Sequence, residues 1–147
     1  MRRGFVYPVV LTPDFEDGGF VVTFPDVPEA ITQGEGELEA LKAATDALEE
    51  ALAGRIRRGD DIPRPSRRRR GQKAVLPNPL IAAKTALYLK LRESGLTRSD
   101  LARTLKCDVR EVRRLLDPAH PSKLPRLTRA LAALGGRLEL TLAEDVA

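Results

Sequence analysis

The sequence predicts an α+β chain: a small antiparallel sheet with a packed helix, then an all-α helix-turn-helix domain ending in a strand. Three observations carry this reading. Apolar runs at Phe5–Leu11 and Phe20–Phe24 flank the polar, glycine-bearing stretch Asp14–Gly19, the pattern of two strands and a hairpin loop. Apolar residues then recur at helical spacing from Glu37 and again from Leu80. Charge also divides the chain: residues 1–61 hold 6 Lys/Arg and 13 Asp/Glu, net −7, whereas residues 62–147 hold 19 and 8, net +11. At 147 residues the length suits one medium domain or two small ones, and the charge split favours two, at 1–76 and 77–147.

After the hairpin, Phe24-Pro25-Asp26-Val27-Pro28 is a proline-punctuated turn, and Thr32-Gln33-Gly34 leads through a short strand into an acidic helix start. Leu38, Leu41, Leu48 and Leu52 make the apolar stripe of that helix, with Ala44, Ala47 and Ala51 beside it. Gly36 stands at its N-cap, where glycine serves through backbone geometry alone. Prolines on both sides of Arg64 forbid helix continuation, so 62–73 is a loop. Its Arg67–Arg70 run could lie along phosphates, flank an RNA or remain solvated.

In the second half, Leu80, Ala83, Leu87 and Leu91 form one stripe, with Lys84, Lys90 and Arg92 mostly outside it. That helix ends near Ser94-Gly95. Thr97-Arg98-Ser99-Asp100 has the form of a capping box opening a short helix through Leu105. Lys106-Cys107-Asp108 makes the turn, and Asp108 with Glu111 offers a weaker cap for Val109–Leu116. Leu101, Ala102, Cys107, Val112 and Leu115 fall where a helix-turn-helix is buried, small Ala102 allowing close approach. Lys106 stands where a left-handed residue would cost about 1–2 kcal/mol, so a looser turn is expected. Ser122 opens a further helix, with Leu127, Leu131 and Leu134 inward and Gly135-Gly136 as its stop. Leu138, Leu140 and Leu142 alternate with polar residues as an amphipathic strand, whose edges call for a partner from a second chain.

The first of these patterns, carried by Phe24–Pro28 and Thr32-Gln33-Gly34 within strand, strand, short strand and helix, resembles the N-terminal domain of HicB-type antitoxins. The resemblance implies a degenerate RNase H-like fold in a toxin-binding domain over 1–76, in which the strand after the Pro63-Arg64-Pro65-Ser66 run, Ala74–Leu76, pairs back onto the sheet and leaves Pro77-Asn78-Pro79 as the linker. It departs at Gly36, where the family often has Thr or Ser. Residues 80–140 resemble the XRE-like repressor class, which implies a DNA-binding and dimerisation domain over 77–147. Carried over residue by residue, the second resemblance puts Val109, Arg110, Arg113 and Arg114 at base edges. Arginine suits this role because its fork donates two hydrogen bonds to guanine. Arg98 and Lys123 fall at phosphate-holding positions.

Together the two resemblances imply an antitoxin that neutralises a small basic HicA-type mRNA-cleaving toxin and represses its own operon as a dimer or tetramer on operator DNA. Asp14, Glu16, Asp17, Asp26 and Glu29 are the candidate toxin contacts, because an acidic surface attracts a cationic one. The alternative is a stand-alone helix-turn-helix repressor with a dimerising or ligand-sensing N-terminal domain. A third reading, an RNase H-like nuclease using Asp14, Asp26, Glu39 and Asp46, lacks a recognisable metal motif.

Cys107 is the single cysteine and His120 the single histidine, which excludes internal disulfides, multi-thiolate zinc sites and most Cys/His catalytic constellations. Cys107 reads as a packed thiol and His120 as a loop residue. No cofactor or metal is expected, and the function is binding rather than catalysis. No apolar stretch is long enough to cross a bilayer, and Met1-Arg2-Arg3-Gly4-Phe5 lacks a signal-peptide core, so a cytoplasmic protein is expected.

Overall fold

A computed structural model describes residues 2–144. The elements are β1 (Tyr7–Pro13), β2 (Phe20–Thr23), β3 (Ile31–Gly34), α1 (Glu37–Arg58), β4 (Lys73–Val75), α2 (Pro79–Ser94), α3 (Arg98–Leu105), α4 (Val109–Leu116) and α5 (Leu124–Ala133). The strands form one antiparallel sheet in the order β3-β2-β1-β4. β4 pairs back as the sequence suggests, one residue earlier than read, with Tyr7 opposite Val75 and Val9 opposite Lys73. Alternation along the strands puts Tyr7, Val9 and Val22 on one face, where α1 covers and buries them.

The hairpin closes through the Asp14 N–H, which donates to the Gly19 carbonyl at 2.9 Å. The proline-bearing turn is part of the core. The Val27 N–H donates to the Phe24 carbonyl and the Ala30 N–H to that of Val27, and all three side chains are buried.

α1 runs six residues beyond Leu52, the last residue of the expected stripe. Gly59, at φ +75°, ends it, with the Asp60 N–H reaching back to the Arg55 carbonyl at 2.9 Å. Its buried face is Ala40, Ala44, Leu48, Ala51 and Leu52. Leu38, read as part of that stripe, is 80% exposed. The reason is the close seat of the first turn on β3: a Cβ at Gly34 would stand 2.5 Å from the Ala40 nitrogen, so this turn faces inward with Ala40 and turns Leu38 outward.

Pro77-Asn78-Pro79, read as the linker, is a structured joint. Pro77 is buried, Asn78 caps α2 by accepting from the Ile81 N–H at 2.9 Å, and its amide donates to Glu49 of α1 at 3.0 Å. Farther along α2, the Tyr88 hydroxyl donates to the Asp60 carbonyl at 2.6 Å. Arg92 pairs with Asp61 at 2.7 Å and lies over the Tyr88 ring at 5.4 Å.

Two further expectations are corrected. Lys123, not Ser122, occupies the N-cap of α5, because the Ser122 hydroxyl is engaged with Lys84. Residues 137–144 form no strand, and Leu140 is 93% exposed. They join none of the four strands of the described sheet, and the pairing expected of them is with a second chain.

Two glycine substitutions should move stability in opposite directions in urea unfolding. Gly34→Ala forces backbone apart and should cost about 1–3 kcal/mol. Gly54→Ala, inside α1 and facing only the flexible end of Arg58, should stabilise by up to about 1 kcal/mol.

Candidate nucleic-acid interface

α3 begins with the expected capping box: the Asp100 N–H donates to Thr97 Oγ1 at 3.0 Å, and the Thr97 N–H to Asp100 Oδ2 at 2.9 Å. Those bonds, the Thr97 backbone donor first, hold the Asp100 carboxyl below its usual range. α3 ends tightly. Lys106 adopts the left-handed conformation at φ 55°, ψ 46°, with the Cys107 N–H bonded to the Ala102 carbonyl at 3.0 Å and the Lys106 N–H to that of Arg103 at 3.2 Å. The expected loosening of the turn does not occur. These bonds, and the Arg129 guanidinium donating to the Leu105 carbonyl at 3.1 Å, offset the strain at a non-glycine residue. Cys107 is half-buried against the core.

Asp108 caps α4 by accepting from the Arg110 N–H at 2.8 Å. Glu111 takes no part in capping and instead pairs with Arg126 of α5 at 2.7 Å. Val112, Leu115 and Leu116 are buried, whereas Arg110, Arg113 and Arg114 are exposed. The spacing of three and four sets those arginines along one side of the helix. Val109 is half-buried at its start. Arg110 is not idle: its guanidinium contacts Asp108 at 3.3 Å, which holds the Asp108 carboxyl below its usual range. Both partners are exposed, so solvent screens the pair and the guanidinium can leave it for another acceptor. Arg114 and Lys123 line one shallow cleft with His120 and Arg126. Arg98 stands exposed on the first turn of α3.

The residue that sequence reasoning missed is Lys84. Read outside the apolar stripe of α2, it is 0% exposed. Its ammonium donates to the carbonyls of Arg114 at 2.8 Å and Leu115 at 3.0 Å, and to Ser122 Oγ at 2.8 Å. Ser122 also lies 3.0 Å from His120 Nδ1. Lys84 thus caps the carbonyl end of α4 and fastens it to the following loop, where the helix dipole favours a cation. Burial lowers its pKa from 10.5 to about 8, against the opposing pull of Asp117. A lysine at an otherwise helical position carries no sequence mark distinguishing it from a solvated one.

The acidic candidates of the first half divide by use. Asp14 Oδ1 accepts from the Glu16 and Asp17 N–H groups at 3.1 and 3.2 Å. Asp26 accepts from the Ser66 N–H at 2.8 Å and its hydroxyl at 3.0 Å. Glu29 holds Arg55 through two bonds of 2.6 and 2.8 Å, and the Arg55 hydrogen bond lowers its pKa. Glu16 and Asp17 remain exposed on the hairpin. Asp14, Asp26, Glu39 and Asp46 do not gather into a metal-holding cluster; among the described residues no group of three or more His, Cys, Asp or Glu does.

Residues 6–86, which contain the sheet, α1 and the Lys84 end of α2, match the model of the HicB-like antitoxin of bacterial toxin-antitoxin systems. The chain belongs to the HicB-like antitoxin family. It is 37% identical to antitoxin HicB of Escherichia coli (strain K12) over 136 residues, 92% of this chain and 98% of that one. It is 36% identical to antitoxin HicB 1 of Photorhabdus laumondii over 92% of this chain and 86% of that one. Against antitoxin HicB of Pseudomonas fluorescens (strain Pf0-1) the identity is 35%, over 97% and 98%. In this HicB-like chain no helix among the described residues is long and apolar enough to cross a membrane.

Lys84 gives a pH test. Between pH 8 and 10.5 the folded protein holds fewer protons at this site than the unfolded chain, so its contribution to stability rises with pH through that window and falls away toward pH 8. The unfolding free energy of wild type minus that of Lys84→Met should therefore increase from pH 8 to 10. A flat difference in urea titrations would place the lysine at its ordinary pKa.

Proposed function

We propose that this HicB-like chain binds and neutralises a HicA-type mRNA-cleaving toxin and represses its own operon. In this reading the sheet and α1, over residues 1–76, form a degenerate RNase H-like toxin-binding domain. α3 and α4, within residues 77–147, act as an XRE-like helix-turn-helix on operator DNA. Its role is binding, with no catalysis and no cofactor, in the cytoplasm.

The observation that carries the DNA-binding part is the one-sided chemistry of α4. Its inner side is buried, its far end is fixed by Lys84, and its outer side presents Arg110, Arg113 and Arg114. Such a helix can enter a major groove without loss of its packing, and its arginines suit guanine edges. Val109 at its start would meet a base methyl group. Arg98 and Lys123, each at the start of a helix, would hold phosphates and fix the register. The C-terminal leucines support a homodimer or tetramer: Leu140 and Leu142 are exposed, and pairing of residues 138–142 with a second copy would cover them. The toxin part rests on family membership and on the acidic first half, whose Glu16 and Asp17 are free to meet a cationic partner, with Asp14, Asp26 and Glu29 shaping the surface around them.

Arg110→Ala should weaken operator binding by about 1–3 kcal/mol while leaving non-specific binding nearly unchanged. Arg98→Ala should weaken both alike and reduce the salt slope by about one. Fluorescence anisotropy on operator and scrambled duplexes across a salt series separates the two; equal losses for Arg110→Ala would remove it as a reader. Affinity capture from the native locus at low salt, followed by intact-mass analysis, should recover a stoichiometric basic chain smaller than this one. Its absence with DNA binding intact would favour the stand-alone repressor.

A further inference from the structure

We infer that Phe15, at the tip of the β1–β2 hairpin, is the aromatic anchor by which this chain holds a small basic protein partner, the surrounding carboxylates steering that partner in. The inference rests on the antitoxin reading and names a contact on its acidic surface.

Phe15 is 94% exposed, and a ring left in water offers a large apolar area that a partner's pocket can cover. The loop beneath it is built. Asp14 accepts from the Glu16 and Asp17 N–H groups, and the Asp14 N–H closes the hairpin onto Gly19. Gly19 is seated so closely that a Cβ there would stand 2.4 Å from the Gly34 carbonyl oxygen and 2.9 Å from the Glu35 Cα. The hairpin end is therefore pressed against the β3–α1 joint. A ring on such a base loses little freedom on binding.

The same end of the sheet carries Leu38, exposed on the first turn of α1. Asp14, Glu16, Asp17 and Glu35 flank these apolar groups in sequence, Glu35 with its backbone against Gly19 of the hairpin, and none of the four forms an ion pair within the described residues. An apolar centre with a charged rim is the arrangement of a binding hot spot. The charge selects the occupant. Carboxylates repel nucleic-acid phosphates, and two copies of this tip repel each other, so the complement is a cationic protein surface with an apolar slot.

The anchor and the rim should separate kinetically. With a HicA-type toxin as the probe, Phe15→Ala should speed dissociation ~30-fold or more and change association by less than ~3-fold. Glu16→Lys with Asp17→Lys should instead slow association, the difference closing as salt rises. Phe15 packs on nothing in the core, so its variant should keep the wild-type melting temperature. An unchanged dissociation rate for Phe15→Ala, with wild type bound, would overturn the anchor and leave the antitoxin reading standing. A lowered mass of the free variant in sedimentation would make the occupant a second copy and also overturn it. Failure of wild type to bind the toxin would overturn the antitoxin reading and this inference together.

Discussion

The burial of α2 on more than one side is the constraint from which much of the second half follows. Ala83, Lys84 and Thr85 are consecutive and all buried, as are Leu87 and Tyr88. Successive helical residues point about 100° apart, so no single neighbour can cover them. One side is met by α1 and the Gly59–Asp61 segment, through Tyr88 and Arg92. The other is met by α4 and the loop that follows it. A charged residue caught in such a helix needs partners in place of water, and the nearest acceptors are the carbonyls that end α4.

Cations serve both short helices in the same way. Arg129 reaches the last carbonyl of α3 and Lys84 those of Arg114 and Leu115 in the last turn of α4, where the helix dipole places partial negative charge. Helices of eight residues have little stability of their own. Their ends are fixed by tertiary contacts, together with the Thr97–Asp100 box and the Asp108 cap at their starts. The turn between them can then hold Lys106 left-handed. Rigidity of this kind is what the proposed reading helix requires, because arginine forks discriminate bases only when their backbone is held in register.

The first half spends its acidic residues in two ways. Asp14, Asp26 and Glu29 organise loops, the last through Arg55 near the end of α1. Glu16 and Asp17, one step along the same hairpin, stay free. A net charge therefore understates how few carboxylates can act on a partner, and it also hides where they stand. Placing the unengaged ones beside an exposed ring turns a diffuse field into a local surface with a preferred partner chemistry.

The sequence by itself determined the order of elements, because strand alternation, helical spacing, glycine stops and the capping box are local patterns that nearest neighbours enforce. It also determined which side of α4 is basic, since Arg110, Arg113 and Arg114 at spacings of three and four cannot face the core with Val112 and Leu115. What it could not determine was how a residue is used once distant segments meet. Leu38 is left out by the close approach of Gly34 to Ala40, and Ser122 is diverted from a cap to Lys84. Asp26 is taken by Ser66, forty positions away, and residues 137–144 join none of the four strands of the described sheet. Lys84 shows the physical reason most plainly. Burial and hydrogen bonding belong to the environment of a side chain, and that environment was made by α4 and Ser122, thirty or more residues downstream.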